Sequence, residues 1–479
     1  MVPTVRVDNR SIKIDAFMRL CTLVFFFILY LFLALNLPTH EAPDEIMRLM
    51  VPSYIVKHGC LPLGSDPEII NSIWGTSYGF SAYGSSLFAV PFMVVAKAIF
   101  ALPEAVLMAA RLANVILAVS TLFVCFLIGD ALSLTKRTSL LYVVFVGLLP
   151  QFSFIASYFN SDMLEFLSTA LVVYCLIRGV QNRWDNRRCI ALGISLGVLA
   201  LSNYYAYGGI VASVVCYYCS VYKMKSSGCG DTRLSLFVVK PLLVFLSAWL
   251  IAGWFFMRNF VLYDGDLFGM ATSSQTSELL ASTGFKPSER VTPKSLGLSP
   301  LEMLSTEYNG VNWIESTIHS SIGILGYMRY PLGDKTYFYY YAILVIGFMA
   351  GGASILKKSG KMRGVVLSTT SIFLLTPVVL SVYYSWSSDF QAQGRYIMAP
   401  VALSMLIVAI GWSQIAEQID ASLSSRTSAA WKIDINVYSI VLGVVALTYC
   451  IVFMHVFNGV ISPYLLGEPM VEELVAILI

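Results

Sequence analysis

The sequence is short of charge. Only 12% of its 479 residues are Asp, Glu, Lys or Arg, whereas an average soluble domain has about 25%. Instead, 57% of the residues are hydrophobic, and the mean hydropathy is +0.74. The net charge of +3 is too small to indicate a nucleic-acid partner. This composition excludes an ordinary soluble protein and predicts an all-α polytopic membrane protein.

Several signatures of other protein classes are also missing. The sequence has no Gly-rich phosphate loop or nucleotide motif, so nothing indicates a nucleotide-dependent enzyme. It has no internal repeat, low-complexity tract or linker between separate domains. Transporters often contain such repeats, so their absence counts against that class.

Cysteine is present but does not indicate a disulfide framework. Of the nine cysteines, only Cys60 falls clearly outside the apolar runs and the basic loops. It therefore has no obvious partner in an oxidising compartment. Cys216 and Cys219 form a C-x-x-C inside an apolar, Tyr-rich run, where packing is the favoured interpretation.

Long apolar runs are abundant. A transmembrane helix needs about 20 apolar residues, and the first such run follows a basic N-terminus with no cleavage site after it. We therefore interpret it as a retained span, not a removed signal peptide. The sequence predicts about eleven spans, at 17–37, 107–131, 139–158, 162–178, 189–203, 205–222, 235–257, 338–356, 364–384, 397–415 and 436–457.

The basic residues predict the orientation. Loops rich in Lys and Arg face the cytoplasm, and with eleven spans all the basic loops fall on the side of the N-terminus. Residues 1–457 then form one transmembrane domain with two large outer segments, 38–106 and 258–337, and residues 458–479 form a short extracytoplasmic tail. If the apolar stretch Tyr78–Phe100 spanned the membrane, every later loop would change sides and the basic loops would no longer all face the cytoplasm. We therefore expect an interfacial or re-entrant helix there.

Polar residues recur at the predicted outer ends of the spans. Charged residues near membrane depth are costly and often mark a site. Two carboxylates with three arginines could activate a hydroxyl and bind a phosphate, because the planar fork of Arg donates two hydrogen bonds at once. The candidates are Asp44, Glu45, Arg111, Asp162, Arg258, Asn259, Gln393 and Arg395.

Each candidate also has a plainer interpretation. The three arginines could be interfacial anchors, and Asp162 could cap the span that it begins. His40 and Glu41 lie close to the Asp44–Glu45 pair, so a divalent cation is possible there, although no spacing is specific for one. The metal therefore stays unknown. Aromatic residues of the second outer segment could stack on sugars or form an interfacial belt: Tyr308, Trp313, Tyr327 and Tyr330.

Three stretches carry a family resemblance. "APDEIMRLMVPSYIVKHGCLP" resembles the Asp-Glu motif that follows the first span in the aminoarabinose and protein mannosyl transferases of the GT-C superfamily. "GWFFMRNFVLYDGDLFG" and "QGRYIMAP" are similar to a bacterial membrane-protein family, with R-N and Q-G-R-Y signatures, placed near those enzymes. The GT-C enzymes are integral-membrane glycosyltransferases that use polyprenyl-phosphate sugars. The resemblance covers about residues 17–415.

The resemblance implies roles for individual residues. Asp44 would be the catalytic base, and Glu45 would orient it or the acceptor. Asp162 and Arg111 match positions where relatives often have an acid and an arginine. The chain departs from the pattern at Asn203, where many relatives have a lysine, so we expect the arginines to bind the donor phosphate.

The sequence therefore predicts an inverting glycosyltransferase. The base takes the acceptor's proton, while Arg258 and Arg395, with Arg111 in reserve, stabilise the departing phosphate. Asp162, Asn259, Gln393 and His40 are supporting candidates. We expect a polyprenyl-phosphate donor and a glycan or lipid-linked acceptor such as surface polysaccharide or lipopolysaccharide, and a divalent cation is an open candidate for a cofactor. The expected location is a bacterial inner membrane, with the site facing outward.

Three alternatives remain at this stage. An O-antigen-type polymerase or ligase would use the basic residues of the late outer segment, such as Arg290 and Arg329. A lipid-glycan flippase or other transporter also has many spans and buried arginines. A non-catalytic assembly subunit is the third.

Overall fold

The computed structural model describes residues 9–100, 102–225, 232–357, 363–426 and 436–465. That part of the chain is mainly helical, as the apolar runs predict. The α-helices are α1 (Asn9–Asn36), α2 (Glu45–His58), α3 (Gly84–Phe100), α4 (Pro103–Ala131), α5 (Lys136–Gly147), α6 (Pro150–Ala156), α7 (Asp162–Gln181), α8 (Asn186–Ala200), α9 (Gly208–Lys225), α10 (Lys240–Leu262), α11 (Met270–Leu280), α12 (Pro300–Ser305), α13 (Trp313–Ile322), α14 (Asp334–Lys357), α15 (Arg363–Ser387), α16 (Val401–Arg426), α17 (Val437–Val456) and α18 (Ser462–Leu465).

Short irregular elements join the helices. Single 3-10 turns lie at Thr39–Glu41, Tyr204–Tyr207 and Gly394–Ile397, and π-helical turns at Ser235–Val239 and Phe457–Ile461. The strands in the described residues form two small antiparallel pairs, β1 (Glu307–Tyr308) with β2 (Val311–Asn312) and β3 (Ile324–Leu325) with β4 (Tyr330–Pro331).

The helices confirm a polytopic membrane protein. Within the described ranges, eight helical segments are long and apolar enough to span: α1, α4, α7, α10, α14, α15, α16 and α17 with α18. The bent pair α5–α6 adds a ninth if its halves form one span. These nine match nine of the eleven predicted spans. Helices α8 and α9 stand at the other two positions, but neither meets the same requirement for length and hydropathy, so the count of eleven is not confirmed.

The bend between α5 and α6 has a local cause. Proline lacks an N–H and cannot continue a helix, and Pro150 begins α6 after a 66° bend. The interruption exposes the carbonyl of Gly147, which must find a partner in an apolar setting. The Tyr30 hydroxyl donates to it at 2.8 Å and the Ser153 hydroxyl at 2.9 Å. The Gly147 carbonyl that the bend exposes is therefore satisfied within the protein.

Helix α3 occupies the apolar stretch for which we expected an interfacial or re-entrant helix. It has 17 residues and packs against α4 and α2. It is too short to be counted with the candidate spans. At the other end of the chain, the last helical segment continues to Leu465, beyond the predicted end at residue 457. Residues 466–479 of the predicted tail lie outside the described residues.

The two long connecting segments, before α4 and after α10, are bound to each other. The Ser282 N–H donates to the Ile73 carbonyl at 3.1 Å, and the Ser277 hydroxyl donates to the Trp74 carbonyl at 2.6 Å. The Gly64 N–H donates to the Tyr263 hydroxyl at 2.8 Å. These contacts join the two segments to each other.

Candidate active site

Buried charge is concentrated at one place in the molecule. Within the described ranges, six charged side chains are buried: Glu45, Arg111, Asp162, Glu165, Lys240 and Arg395. All but Lys240 belong to a group that also contains Asp44 and Arg48 and that we call the charged cluster. Burying a charge is costly unless it is paired. The convergence of five such residues is the strongest functional signal in the structure.

Glu45 and Arg111 form the fully buried part of the cluster. The Arg111 guanidinium donates to both Glu45 carboxylate oxygens, at 2.8 Å and 2.6 Å, and both side chains are 0% exposed. Its third nitrogen donates to the carbonyls of Ala34 and Leu37, at 2.8 Å and 2.7 Å. A cation is favourable at a helix C-terminus, where carbonyls are unpaired. Arg111 therefore ties the end of α1 to the start of α2.

Glu45 extends this connection to α7. One Glu45 oxygen also accepts the backbone N–H of Phe159 at 2.8 Å, just before α7 begins. The Glu45–Arg111 pair thus fixes the two chain segments from which Asp44 and Asp162 project. Both carboxylate oxygens of Glu45 and all three nitrogens of Arg111 are engaged in these contacts.

Asp44 lies at the N-terminus of α2 in a left-handed backbone conformation, with φ of 61°. Asp tolerates this region better than most residues. Its carboxylate accepts a 2.7 Å hydrogen bond from Arg395, and about 34% of its side chain remains exposed. Burial by itself would raise the pKa of Asp44, but the guanidinium groups of Arg395 and Arg48 outweigh it, so the pKa lies below its ordinary value. Asp44 is therefore an ionised carboxylate that solvent or a ligand can reach.

Arg395 comes from the 3-10 turn before α16, and Gly394 permits its placement. The Gly394 N–H donates to the Ser320 hydroxyl at 2.6 Å, and a Cβ on Gly394 would lie 2.1 Å from the Ser321 backbone nitrogen. One Arg395 nitrogen, Nη2, serves both Asp44 and the Tyr396 hydroxyl, the latter at 2.8 Å. Its Nε and Nη1 are buried and have no hydrogen-bond partner among the described residues.

Arg48 is the second guanidinium beside Asp44. It lies four residues later on α2, so one helical turn brings it to the same face. It donates a short hydrogen bond to the Ser161 hydroxyl, and its guanidinium carbon lies 4.5 Å from the centre of the Tyr78 ring. Its Nε is buried without a hydrogen-bond partner in the described part of the chain. A cation over an aromatic face is held more firmly than an exposed one.

Asp162 begins α7, but Asn160 supplies the helix cap. The Asn160 side-chain oxygen accepts the N–H groups of Asp162 and Met163, at 2.9 Å and 3.2 Å. The Asp162 carboxylate accepts only a 3.3 Å bond from Ser161, and its Oδ2 is buried without a partner in the described residues. The cap does not explain the carboxylate, so Asp162 is available to the cluster.

Glu165 lies one turn further into α7 and is almost fully buried. It is close to Asp162 and Arg48, and the Asn203 side chain lies beside it. Its Oε1 has no hydrogen-bond partner within the described ranges. The position where the resemblance expects a lysine thus presents an amide to a buried carboxyl group.

The other predicted residues lie around this cluster or away from it. Arg258 donates to the Pro62 carbonyl at 2.6 Å, and no recorded contact among the described residues joins it to Asp44 or Arg395. Asn259 is fully buried and donates weakly to the Leu267 carbonyl at 3.4 Å. The Gln393 side chain has no recorded hydrogen bond in the described part of the structure. The His40 side chain lies outside the described residues.

The aromatic candidates separate into two kinds. Tyr327 lies next to Asp44 and is 47% exposed, so it could contact a ligand there. The others are engaged in packing. Trp313 donates to the Ser385 hydroxyl, Tyr308 donates to the Val291 carbonyl, and the Tyr330 ring packs on Tyr464.

The described residues contain no group of three or more His, Cys, Asp or Glu side chains arranged to hold a metal ion. A divalent cation at His40, Glu41, Asp44 and Glu45 therefore stays a prediction. Asp44 and Asp162 are instead close to two guanidinium groups.

Sequence reasoning missed Arg48 and Glu165, although helical spacing gives a signal for both. Arg48 follows Asp44 by four residues and Glu165 follows Asp162 by three, so each shares a helix face with a predicted site residue. Tyr78 and Tyr396 have no such signal, because distant parts of the chain bring them to the cluster.

Comparison of the sequence with protein-family profiles and with curated proteins gives no match. Solved structures do resemble the fold. The oligosaccharyltransferase of Archaeoglobus fulgidus in its apo form superposes with a TM-score of 0.50 and 14% identity, covering 91% of this chain and 56% of that one. The same enzyme, AglB, with an inhibitory peptide and a dolichol-phosphate gives 0.48 and 13%, over 92% and 56%.

A bacterial structure is also similar. ArnT from Cupriavidus metallidurans bound to undecaprenyl phosphate gives a TM-score of 0.35 and 14% identity, covering 88% of this chain and 84% of that one. The chain spans only 56% of the archaeal enzyme's length. At this identity the likeness to the archaeal enzyme shows the fold alone, which is an all-α membrane fold.

Proposed function

We propose that this protein is a membrane glycosyltransferase that moves a sugar from a polyprenyl-phosphate donor to a glycan or lipid-linked acceptor. The observation that carries the proposal is the contact of Asp44 with Arg395, 2.7 Å long and still reachable from outside. It unites a carboxylate base with a phosphate-binding group in one accessible place. The GT-C-like fold supports the same reaction class.

The donor phosphate would bind between Arg395 and Arg48. Both guanidinium groups have buried N–H groups without partners in the described residues. Leaving such donors unsatisfied costs about 1–3 kcal/mol each, and phosphate oxygens are the acceptors that Arg binds best. A phosphate at this position would therefore recover the unused hydrogen bonds.

The reaction follows from this arrangement. An acceptor hydroxyl attacks the anomeric carbon of the sugar, and the carbon–oxygen bond to the phosphate breaks. The hydroxyl proton passes to Asp44, and the polyprenyl phosphate leaves with the bonding electron pair. Arg395 and Arg48 stabilise the negative charge that develops on the phosphate. Attack opposite the leaving group inverts the anomeric centre.

Glu45 and Arg111 take a positioning role in this proposal. They occupy each other fully, so a phosphate could reach Arg111 only by breaking a buried ion pair. Asp162 would contribute an acceptor for a sugar hydroxyl. Arg258 has an unpartnered buried nitrogen and stays a candidate for a more distant part of the donor, as do Asn259, Gln393 and His40 for supporting contacts.

We further propose that the site faces outward from a bacterial inner membrane. The basic loops support that orientation. Acceptors on that face would be surface polysaccharide or lipopolysaccharide, and the sugar a hexose or pentose.

The test compares Asp44→Asn with Asp264→Asn in nanodiscs. Both aspartates have positive φ, at 61° and 48°, which Asn also tolerates, and Asp264 is exposed. Each protein would receive radiolabelled undecaprenyl-phosphate sugars and membrane glycan extract. We expect wild type and Asp264→Asn to label the glycan equally, and Asp44→Asn to lose about 10²–10⁴-fold in rate. Equal labelling by all three proteins would remove Asp44 as the base and favour the basic late segment of a polymerase or ligase.

A further inference from the structure

This inference rests on the proposed function, which requires Asp44 to accept a proton and Arg395 to bind a phosphate. The hydrogen bond that joins the two side chains opposes both roles. A general base needs enough basicity to accept a proton. The Asp44 Oδ2 is bound to Arg395 at 2.7 Å, and the two neighbouring guanidinium groups hold the pKa of Asp44 below the ordinary value despite its burial. In this arrangement Asp44 is a poor proton acceptor.

Only part of the Arg395 guanidinium is free to bind a phosphate. Its Nη2 is shared between Asp44 and Tyr396, while Nε and Nη1 have no partner among the described residues. Two parallel hydrogen bonds to one phosphate use adjacent nitrogens of the fork. A phosphate that binds Arg395 in this way would compete with the Asp44 carboxylate for the same charge.

The two guanidinium groups differ in what they are bonded to. Arg48 donates to Ser161 and lies over the Tyr78 ring, and among the described residues it has no recorded hydrogen bond to Asp44. Arg395 donates to Asp44 and to Tyr396, and its guanidinium carbon lies 4.9 Å from the centre of the Tyr396 ring. In the described structure Arg395 is therefore the guanidinium whose release would free the Asp44 carboxylate.

We propose that Arg395 is a lock on the catalytic base: it holds Asp44 until a phosphate binds, and the phosphate then draws Arg395 away and frees Asp44 to accept the proton. Donor binding would thus activate the base, and the donor would bind before the acceptor is deprotonated. The base stays inactive while no sugar donor is present.

The lock makes a prediction about phosphate affinity. If Asp44 competes with phosphate for Arg395, removing its charge must tighten phosphate binding. Hydrogen bonds to charged groups contribute enough that we expect a gain on the order of tenfold for Asp44→Asn. Asp162→Asn is the matched control, because it removes a nearby negative charge that makes no hydrogen bond to Arg395. Its gain should be only about twofold, and Arg395→Gln should bind at least about tenfold more weakly than wild type.

The measurement is equilibrium binding of undecaprenyl phosphate, and separately of inorganic phosphate, to each full-length protein in nanodiscs. Asp44→Gly, which also tolerates positive φ, serves as a second variant if Asp44→Asn does not fold. A gain for the Asp44 variant clearly above that of Asp162→Asn, with either phosphate, supports the lock. Equal gains for the two aspartates, or no gain, would overturn it.

The lock and the proposed function fail in different ways. Binding of undecaprenyl phosphate to wild type without an Asp44-specific gain would overturn the lock and leave the donor class standing. An Asp44-specific gain seen only with inorganic phosphate would keep the lock and overturn the lipid donor.

Discussion

The buried pair of Glu45 and Arg111 gives the most direct test of how the site is built. The two side chains are 0% exposed and are joined by hydrogen bonds of 2.8 Å and 2.6 Å. Each charge requires the other, because either one alone would be an uncompensated charge in an apolar interior. Breaking such a pair by removing one partner costs about 3–5 kcal/mol. Replacing both partners with apolar residues of similar size often costs much less.

The perturbation is therefore a double-mutant cycle with Glu45→Met, Arg111→Met and the double variant. We expect each single change to destabilise the protein by about 3–5 kcal/mol. Arg111→Met also leaves the Ala34 and Leu37 carbonyls without their side-chain donor, so it should be the worse of the two. The double variant should be no less stable than the worse single variant.

The assay is thermal unfolding of the purified protein in detergent. Unfolding is monitored as the loss of the monodisperse peak in size-exclusion chromatography. A coupling free energy near zero, with the two single effects adding in the double variant, would refute the reasoning. In that case the two residues would act independently, as the predicted catalytic Glu45 and phosphate-binding Arg111 would. Transfer activity of a folded Glu45→Gln protein then decides between orientation of Asp44 and a direct role.

Two further predictions follow from the geometry around Arg395 and Asp44. Gly394→Ala should destabilise the protein by at least about 2 kcal/mol and abolish transfer, because its Cβ would meet the Ser321 backbone. Gly443→Ala is the control, because its Cβ would have no neighbour within 4 Å. This variant should melt at or above the wild-type temperature. Arg48→Gln removes one of the two cations that lower the pKa of Asp44, whereas burial raises it. The pKa of Asp44 should therefore rise in this variant. The acid limb of the kcat/KM profile, which reports the free enzyme, should then move to higher pH. An unchanged acid limb would mean that Arg48 does not act on Asp44.

Much of the fold could be predicted from the sequence, because apolar runs of spanning length have few other solutions. Eight predicted spans coincide with helical segments of the described structure that can cross a membrane, and a ninth does so if α5 and α6 form one span. The predicted runs at 189–203 and 205–222 are not confirmed as spans, because glycines and tyrosines shorten or dilute the apolar stretch there. The bend at Pro150 could also have been anticipated, since an internal proline ends a helix.

The site was less predictable, because its partners meet from distant parts of the chain. Asp44 and Arg395 were both candidates, but nothing local indicates that residues 351 positions apart are bonded. Arg111 is a candidate phosphate ligand from its place near the outer start of a predicted span, whereas in the structure its guanidinium is paired with Glu45. Arg258 is a candidate from its place at the end of another predicted span, and its recorded hydrogen bond goes to the Pro62 carbonyl. The sequence shows which residues are polar, whereas only the folded structure shows which of them form pairs.

Asp44 itself argues for function over stability. An aspartate before a helix normally has an extended backbone, and its side chain accepts N–H groups of the first turn, which stabilises the helix by about 1 kcal/mol. At the start of α2 the backbone is left-handed, and Asp44 makes no such cap. The carboxylate pairs instead with Arg395 and keeps a third of its surface open. Helix α2 therefore begins without its usual cap, and the side chain that could have supplied it is turned to a partner and to a space that a ligand can enter. Unfavourable backbone geometry is retained where the surrounding structure enforces it, often at functional sites, and this coincidence of strain, charge and access makes Asp44 the residue on which to test the proposed chemistry.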